Sequence, residues 1–286
     1  MLNRRHIRIK VLQILYAFFH SQSDDIIKCE RELDKSMNKA HVLYVHLLVL
    51  LVNLKSLAEQ KIEMGKNKLL PTQDDLNPNT KFIDNKILCL LTENLSLIDK
   101  AESEEIFWDE NPELQGKLLR QIQESEIYNT YMAAASSSFI EDRKFVSALF
   151  MEFIAPNEDL HTFLEEKSIY WLDDFAISNL SVVKTLKSLK PESDEYSRIL
   201  PVFKDEDDKD FAHNLLTRTL ANSAEYKKYV VETASNWDEE RISDMDQLLM
   251  QMAISELLNF ETIPVKVTLN EYIELSKDYS SQKSKL

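Results

Sequence analysis

Only two of the 286 residues are glycine, Gly65 and Gly116. Average usage of roughly 7% would supply about twenty. Loops that cradle phosphate, dinucleotide fingerprints and nucleophile elbows all need clustered glycines, because the backbone must approach its ligand closely. None of these can be built from two glycines 51 positions apart. Tight two-residue hairpins also draw on glycine, so a sheet-rich fold is disfavoured. A chain so poor in glycine, with 44% apolar and 29% charged residues, reads as a globular protein assembled from helices.

Helical periodicity runs nearly throughout. It predicts helices at about 4–20, 25–38, 40–65, 81–99, 113–130, 139–154, 157–167, 169–189, 208–233, 243–259 and 268–279. The breaks coincide with Pro71 and Pro78, Pro112, Pro156, Pro191 and Pro201, and Pro264. Residues 70–80 and 191–209 read as connections. The second ends in the run Asp205-Glu206-Asp207-Asp208, a solvated helix start rather than a metal site. The fold expected is all-α, with no clean repeat of solenoid length.

Two cysteines, Cys29 and Cys89, are too few for a disulfide framework and suit buried thiols in a reducing cytoplasm. The apolar stretch 42–54 contains His46 and Asn53 and is short for a bilayer, which makes it a core helix and implies no membrane association. The six histidines are scattered without metal-binding spacing, and no nucleophile–base pattern stands out. The sequence suggests no enzyme, no metal and no cofactor.

Charge is distributed unevenly. The net charge is -15, yet the first 23 residues hold Arg4, Arg5, Arg8 and Lys10 with no acid. Cations in the first turn of a helix oppose its macrodipole, which points to a role outside the helix. A basic start that merely offsets the surrounding acid is the alternative. Near the other end, Ser243 and Asp246 read as a capping box, and Thr268 with Glu271 as a second. Glu256 falls within the apolar arc of Met245, Leu248, Leu249, Met252, Ala253 and Leu257. It must either find partners, with the backbone N–H groups of residues 262–265 nearest, or reach water at the edge.

The two ends together carry a resemblance. Asn3-Arg4-Arg5-His6-Ile7-Arg8 running into Leu12-Gln13-Ile14-Leu15-Tyr16 resembles the opening of the NusB family of transcription antitermination factors. The other end resembles the same family more closely. It does so through Arg241-Ile242, Asp246, Leu249, the run from Ala253 to Leu258, Ile263-Pro264-Val265-Lys266-Val267, and the segment from Leu269 to Lys277. The likeness covers residues 1–20 and 205–286, about a hundred in all. The family pattern departs at Gln247, where a basic residue is common, and at Lys283, where an acid is common. It also continues into a Phe-x-Asn-Gly-Val-Leu-like helix that lies beyond Leu286.

The resemblance implies a compact multi-helix RNA-binding fold, with residues 21–204 as additional helices and the whole chain as one all-α domain. Ile7, Val11, Ile14, Leu15 and Phe18 are expected to form the stripe that packs the first helix on the C-terminal helices. The resemblance also implies a cytoplasmic, non-enzymatic antitermination factor that binds boxA-type single-stranded RNA of ribosomal RNA transcripts. The implied partners are NusE, a ribosomal protein, and the transcription elongation complex. Carried onto this chain, the RNA-binding residues are Arg4, Arg5, His6, Arg8 and Lys10. Lys283 and Lys285 would extend the cationic track, unless they form only a solvated tail. Tyr16 and Asp246 would face the protein partner, although Asp246 has capping as a competing role. A helical scaffold or protein-interaction module without RNA specificity is the alternative.

Overall fold

The structure, a computed structural model, describes residues 1–21, 24–233 and 243–280. Arg241, Ile242, Lys283 and Lys285 therefore lie outside the described residues. Fourteen α-helices and no strand occur among those described, which makes the fold all-α. The chain divides into two compact units. One is formed by residues 39–201 with Met1, the other by residues 2–38 and 202–286. The sequence reading drew the second boundary at 1–20 and 205–286.

The first unit takes residues 39–66 of α2 (Ile26–Lys66), then α3 (Gln73–Leu76), α4 (Lys86–Glu93) and α5 (Leu95–Ser103). It continues with α6 (Pro112–Glu124), α7 (Glu126–Ala133), α8 (Phe139–Leu149), α9 (Glu158–Lys167) and α10 (Phe175–Ser188). Its core gathers Leu47, Leu48 and Leu51 of α2 with Ile87, Leu118, Val146, Phe150 and Val182. Two expected helices fuse into α2, because no proline or glycine separates residues 38 and 40. Two others split where a side chain takes over a free N–H. Asn94 accepts from the Leu97 N–H at 2.8 Å, and Ser125 accepts from the Tyr128 N–H at 3.2 Å. The apolar period runs through both breaks, so it concealed them.

By length and composition α2 could cross a membrane, contrary to the reading of residues 42–54 as too short. Burial decides its role: 72% of its most apolar window is buried within the protein. It is a core helix because it is covered.

The second unit comprises α1 (Arg4–Ser21), residues 26–38 of α2, α11 (Glu206–Ala221), α12 (Ser223–Thr233), α13 (Asp244–Asn259) and α14 (Val265–Tyr279). Here α1 packs on α11 and α13, and α13 on α12 and α14. Ile7, Val11, Ile14 and Leu15 are buried, as their spacing requires, while Phe18 is half-buried. The acidic run does start a helix. Asp205 caps α11 by accepting the Asp208 N–H at 3.1 Å, and three acids fill its first turn.

Ser243 caps α13, accepting the Asp246 N–H at 3.2 Å. The second expected capping box does not form. Pro264 sits at the N-cap of α14, so the helix begins at Val265 and Thr268 lies inside it. Proline supplies the right backbone there without a side-chain acceptor, and the Thr268 hydroxyl is left available for another bond.

Candidate nucleic-acid interface

Three arginines of α1 meet three acids from the C-terminal helices, each in a different environment. Arg8 is the innermost. Its guanidinium donates through Nε to Glu256 Oε2 and through Nη2 to Glu256 Oε1, both at 2.7 Å. The side chains are 3% and 0% exposed. Thr268 Oγ1 donates to Glu256 Oε1 at 2.8 Å and Tyr272 OH to Glu256 Oε2 at 3.2 Å. Glu256 thus finds its partners on α1 and α14, not on the turn at residues 262–265. Burial alone lowers the pKa of Arg8, but the hydrogen bond and charge of Glu256 outweigh it and raise the pKa overall. Burial and the neighbouring Glu256 push the Tyr272 hydroxyl well above its ordinary value, so it stays a donor.

Arg5 lies further out. Its Nε donates to Glu271 Oε2 at 2.7 Å and its Nη2 to Glu271 Oε1 at 2.8 Å. Arg5 is 46% exposed and Glu271 21%. The hydrogen bond from Arg5 holds the Glu271 carboxyl below its usual range. Arg4 donates through Nε to Asp208 Oδ1 at 3.2 Å. The guanidinium carbons of Arg4 and Arg8 stand 5.1 Å and 5.2 Å from the centroid of the Phe211 ring, where the ring quadrupole attracts them.

His6 completes the outer edge. Its Nδ1–H donates to Asn3 Oδ1 at 2.7 Å, and the same oxygen accepts the His6 backbone N–H at 3.1 Å. Burial, helped by Arg5 and Lys10, lowers its pKa to about 4, so the ring is neutral at pH 7. Asn3, Arg4, Arg5, His6 and Arg8 line a cleft of about 650 Å³ together with Thr262, Ile263, Pro264, Val267 and Glu271.

The expected cationic surface is therefore divided. Arg4, Arg5 and His6 line an open cleft. Arg8 is enclosed with Glu256, and Lys10 is 1% exposed and also interior. Arg8 and Lys10, expected on the strand-binding surface with the others, are the two cations of the series that the fold buries. Cations at positions 4, 5, 8 and 10 do not keep to one helical face, so part of the series turns inward with the apolar stripe.

Tyr16 lines a separate cavity of about 470 Å³ with Phe19, His20, Lys227, Asp244 and Gln247. The Tyr16 and His20 rings stack at 3.9 Å, and His20 Nε2 lies 3.8 Å from Asp244 Oδ2. Asp246 is turned elsewhere. Its Oδ2 accepts from Ser243 Oγ at 2.7 Å and its Oδ1 from Ser280 Oγ, fastening the end of α14 to the start of α13. The acid that shares a cavity with Tyr16 is Asp244, two positions before Asp246 and unremarked in the sequence. Asp208, Phe211 and Glu271 were missed as well. For Glu271 the signal was available: an acid about two turns beyond the proline that caps α14. Among the described residues, no group of three or more His, Cys, Asp or Glu side chains is placed to hold a metal ion.

Residues 179–286 match the NusB family model. Three relatives carry the name transcription antitermination protein NusB. The protein from Salinibacter ruber is 39% identical over 85 residues, 30% of this chain and 53% of the relative. That from Chloroherpeton thalassium is 30% identical over 121 residues, 42% of this chain and 54% of the relative. That from Listeria monocytogenes is 28% identical over 119 residues, 42% of this chain and 82% of the relative. The chain spans about half the length of the first two. No solved structure matches the chain at a significant level. What the comparisons show is a region: residues 179–286, within an all-helical chain, are similar to the NusB family.

Proposed function

We propose that this chain is a transcription antitermination factor of the cytoplasm. It binds boxA-type single-stranded RNA together with a NusE-type ribosomal protein as part of the transcription elongation complex. The observation that carries this reading is the placement of Arg4 and Arg5 on an open cleft, beside the neutral ring of His6, in a chain of net charge -15. Elsewhere the acidic surface repels a phosphate backbone, so cations collected at one cleft define where a strand can lie. Guanidinium groups reach phosphates or stack on bases, and a neutral imidazole adds a stacking face. The cavity beside Tyr16 and Asp244 is the surface offered to a basic protein. Lys283 and Lys285 are part of the proposal as an extension of the RNA track.

The test is titration of a boxA-like RNA with the full chain, with and without NusE, over a salt series. Two phosphate contacts from Arg4 and Arg5 give a slope of log affinity on log salt of about -1.4, from roughly 0.7 per contact on a single strand. Contacts from Lys283 and Lys285 steepen it, and Lys283→Ala with Lys285→Ala removes that increment. Arg4→Gln with Arg5→Gln should abolish detectable binding at unchanged helicity. Unchanged affinity in that variant favours the alternative, a helical interaction module whose basic helix serves only the fold. The ion pairs made by all three arginines are the observation on that side.

A further inference from the structure

The proposed RNA cleft contains an acid in the place a phosphate would take, and the inference drawn from it rests on the RNA-binding reading above. The Arg5 guanidinium forks onto both oxygens of Glu271, the two-bond geometry with which arginine also grips a phosphate. A second guanidinium nitrogen, Arg8 Nη1, lies 3.8 Å from Glu271 Oε2. We propose that Glu271 is a built-in competitor of RNA: its carboxylate occupies Arg5 until a strand displaces it, and so sets the affinity of the cleft.

The three acids differ in whether they can be displaced. Glu256 has no exposed surface and four side-chain bonds, so releasing it would strand a buried charge. Asp208 is 11% exposed and sits in the first turn of α11, where the helix end favours it. Glu271 is 21% exposed on the wall of a cleft of about 650 Å³, and every hydrogen bond found for its carboxylate comes from Arg5. Among the described residues its other cationic neighbour is Arg8 Nη1 at 3.8 Å, beyond hydrogen-bond reach, so it can swing into water when a phosphate arrives. Arg5, at 46% exposed, can meet that phosphate without rearranging the helix.

This exchange replaces one anion by another, so an isolated phosphate gains little over the carboxylate already present. A strand gains by adding its contacts at Arg4 and at the base-stacking surfaces, which favours RNA over small anions.

The experiment is a double-mutant cycle on RNA binding in the full chain, with Glu271→Gln, Arg5→Gln and the pair. Glu271→Gln keeps the shape and a hydrogen-bond acceptor and removes the charge. Urea midpoints confirm that each variant is folded. The expected result is a several-fold tightening in Glu271→Gln, and loss of that tightening when Arg5 is already glutamine. Equal or weaker binding by Glu271→Gln, while Arg5→Gln weakens binding, overturns the competitor and leaves the RNA-binding reading intact. A gain of the same size with and without Arg5 also overturns it, since Glu271 then acts only as general repulsion. No RNA binding by any member of the cycle overturns both.

Discussion

Arg8 and Glu256 stand 248 positions apart in sequence and face one another through two parallel hydrogen bonds of 2.7 Å, with almost no solvent on either. Removing one partner of a buried ion pair leaves the other uncompensated and costs about 3–5 kcal/mol. Arg8→Ala and Glu256→Ala should each lower the urea unfolding free energy of the second unit by that order. Arg8→Met combined with Glu256→Leu should recover most of the loss, because no charge is then left buried. Additive losses in the combined variant would contradict the pairing.

Acid should weaken the fold before any carboxylate titrates. Burial, aided by Lys167 and Lys39, lowers His46 to about 4. Its ring sits edge-on to Trp108 and Trp171 at centroid distances of 6.0 and 5.1 Å. The unfolded chain takes up a proton near pH 6.5 that the folded chain refuses. This contribution to stability is complete above pH 6.5 and falls as pH drops toward 4, by at most about 3 kcal/mol for His46. Denaturation midpoints at pH 7.5, 5.5 and 4.5 measure the fall. His46→Gln should make it shallower, with the remainder carried by His6 and His41, which burial also holds below the ordinary imidazole value.

The capping residues and the proposed partner surface separate cleanly. Ser243→Ala should cost about 1 kcal/mol of stability, the ordinary value of an N-cap, and Asp246→Ala should lower stability by releasing Ser243 and Ser280. Tyr16→Ala and Asp244→Lys, on the cavity surface, should weaken binding of the NusE-type partner with little change in thermal midpoint. Loss of partner binding in Asp246→Ala at full stability, with Asp244→Lys silent, would return the role to Asp246.

Tyr44 is buried in the first unit, where its hydroxyl bonds Thr185 Oγ1 at 2.6 Å and accepts the Leu200 N–H at 3.2 Å. Tyr44→Phe removes the acceptor from that N–H and should cost about 1–3 kcal/mol. Thr185 keeps its bond to the Ser181 carbonyl, so the loss belongs to Leu200. Calorimetric unfolding of the variant checks this, and a neutral substitution would show that water replaces the hydroxyl.

The elements legible in the sequence are those governed by local rules. Ile7, Val11, Ile14 and Leu15 are buried because helical spacing puts them on one face, and Ser243 caps α13 because a hydroxyl there meets a free N–H. What could not be read was long-range or subtle. Periodicity gave no warning that Asn94 and Ser125 end one helix and start the next, since apolar residues continue across both. Glu256 was recognisable as a buried acid in need of a partner. That the partner is Arg8 follows only once α1 lies against α13 and α14. The same docking turned Lys10 inward and separated Arg5 from Arg8, a distinction that one-dimensional charge counting does not contain.

The second unit is assembled from two stretches of chain with residues 39–201 of the first unit between them. At roughly 5–20 residues per second, Arg8 is made about 12–50 s before Glu256. For that interval the Arg8 guanidinium has no Glu256 to meet, and the apolar stripe of α1 has no α13 to lie against. The first helix of this protein therefore waits for the last part of its chain before it can be buried.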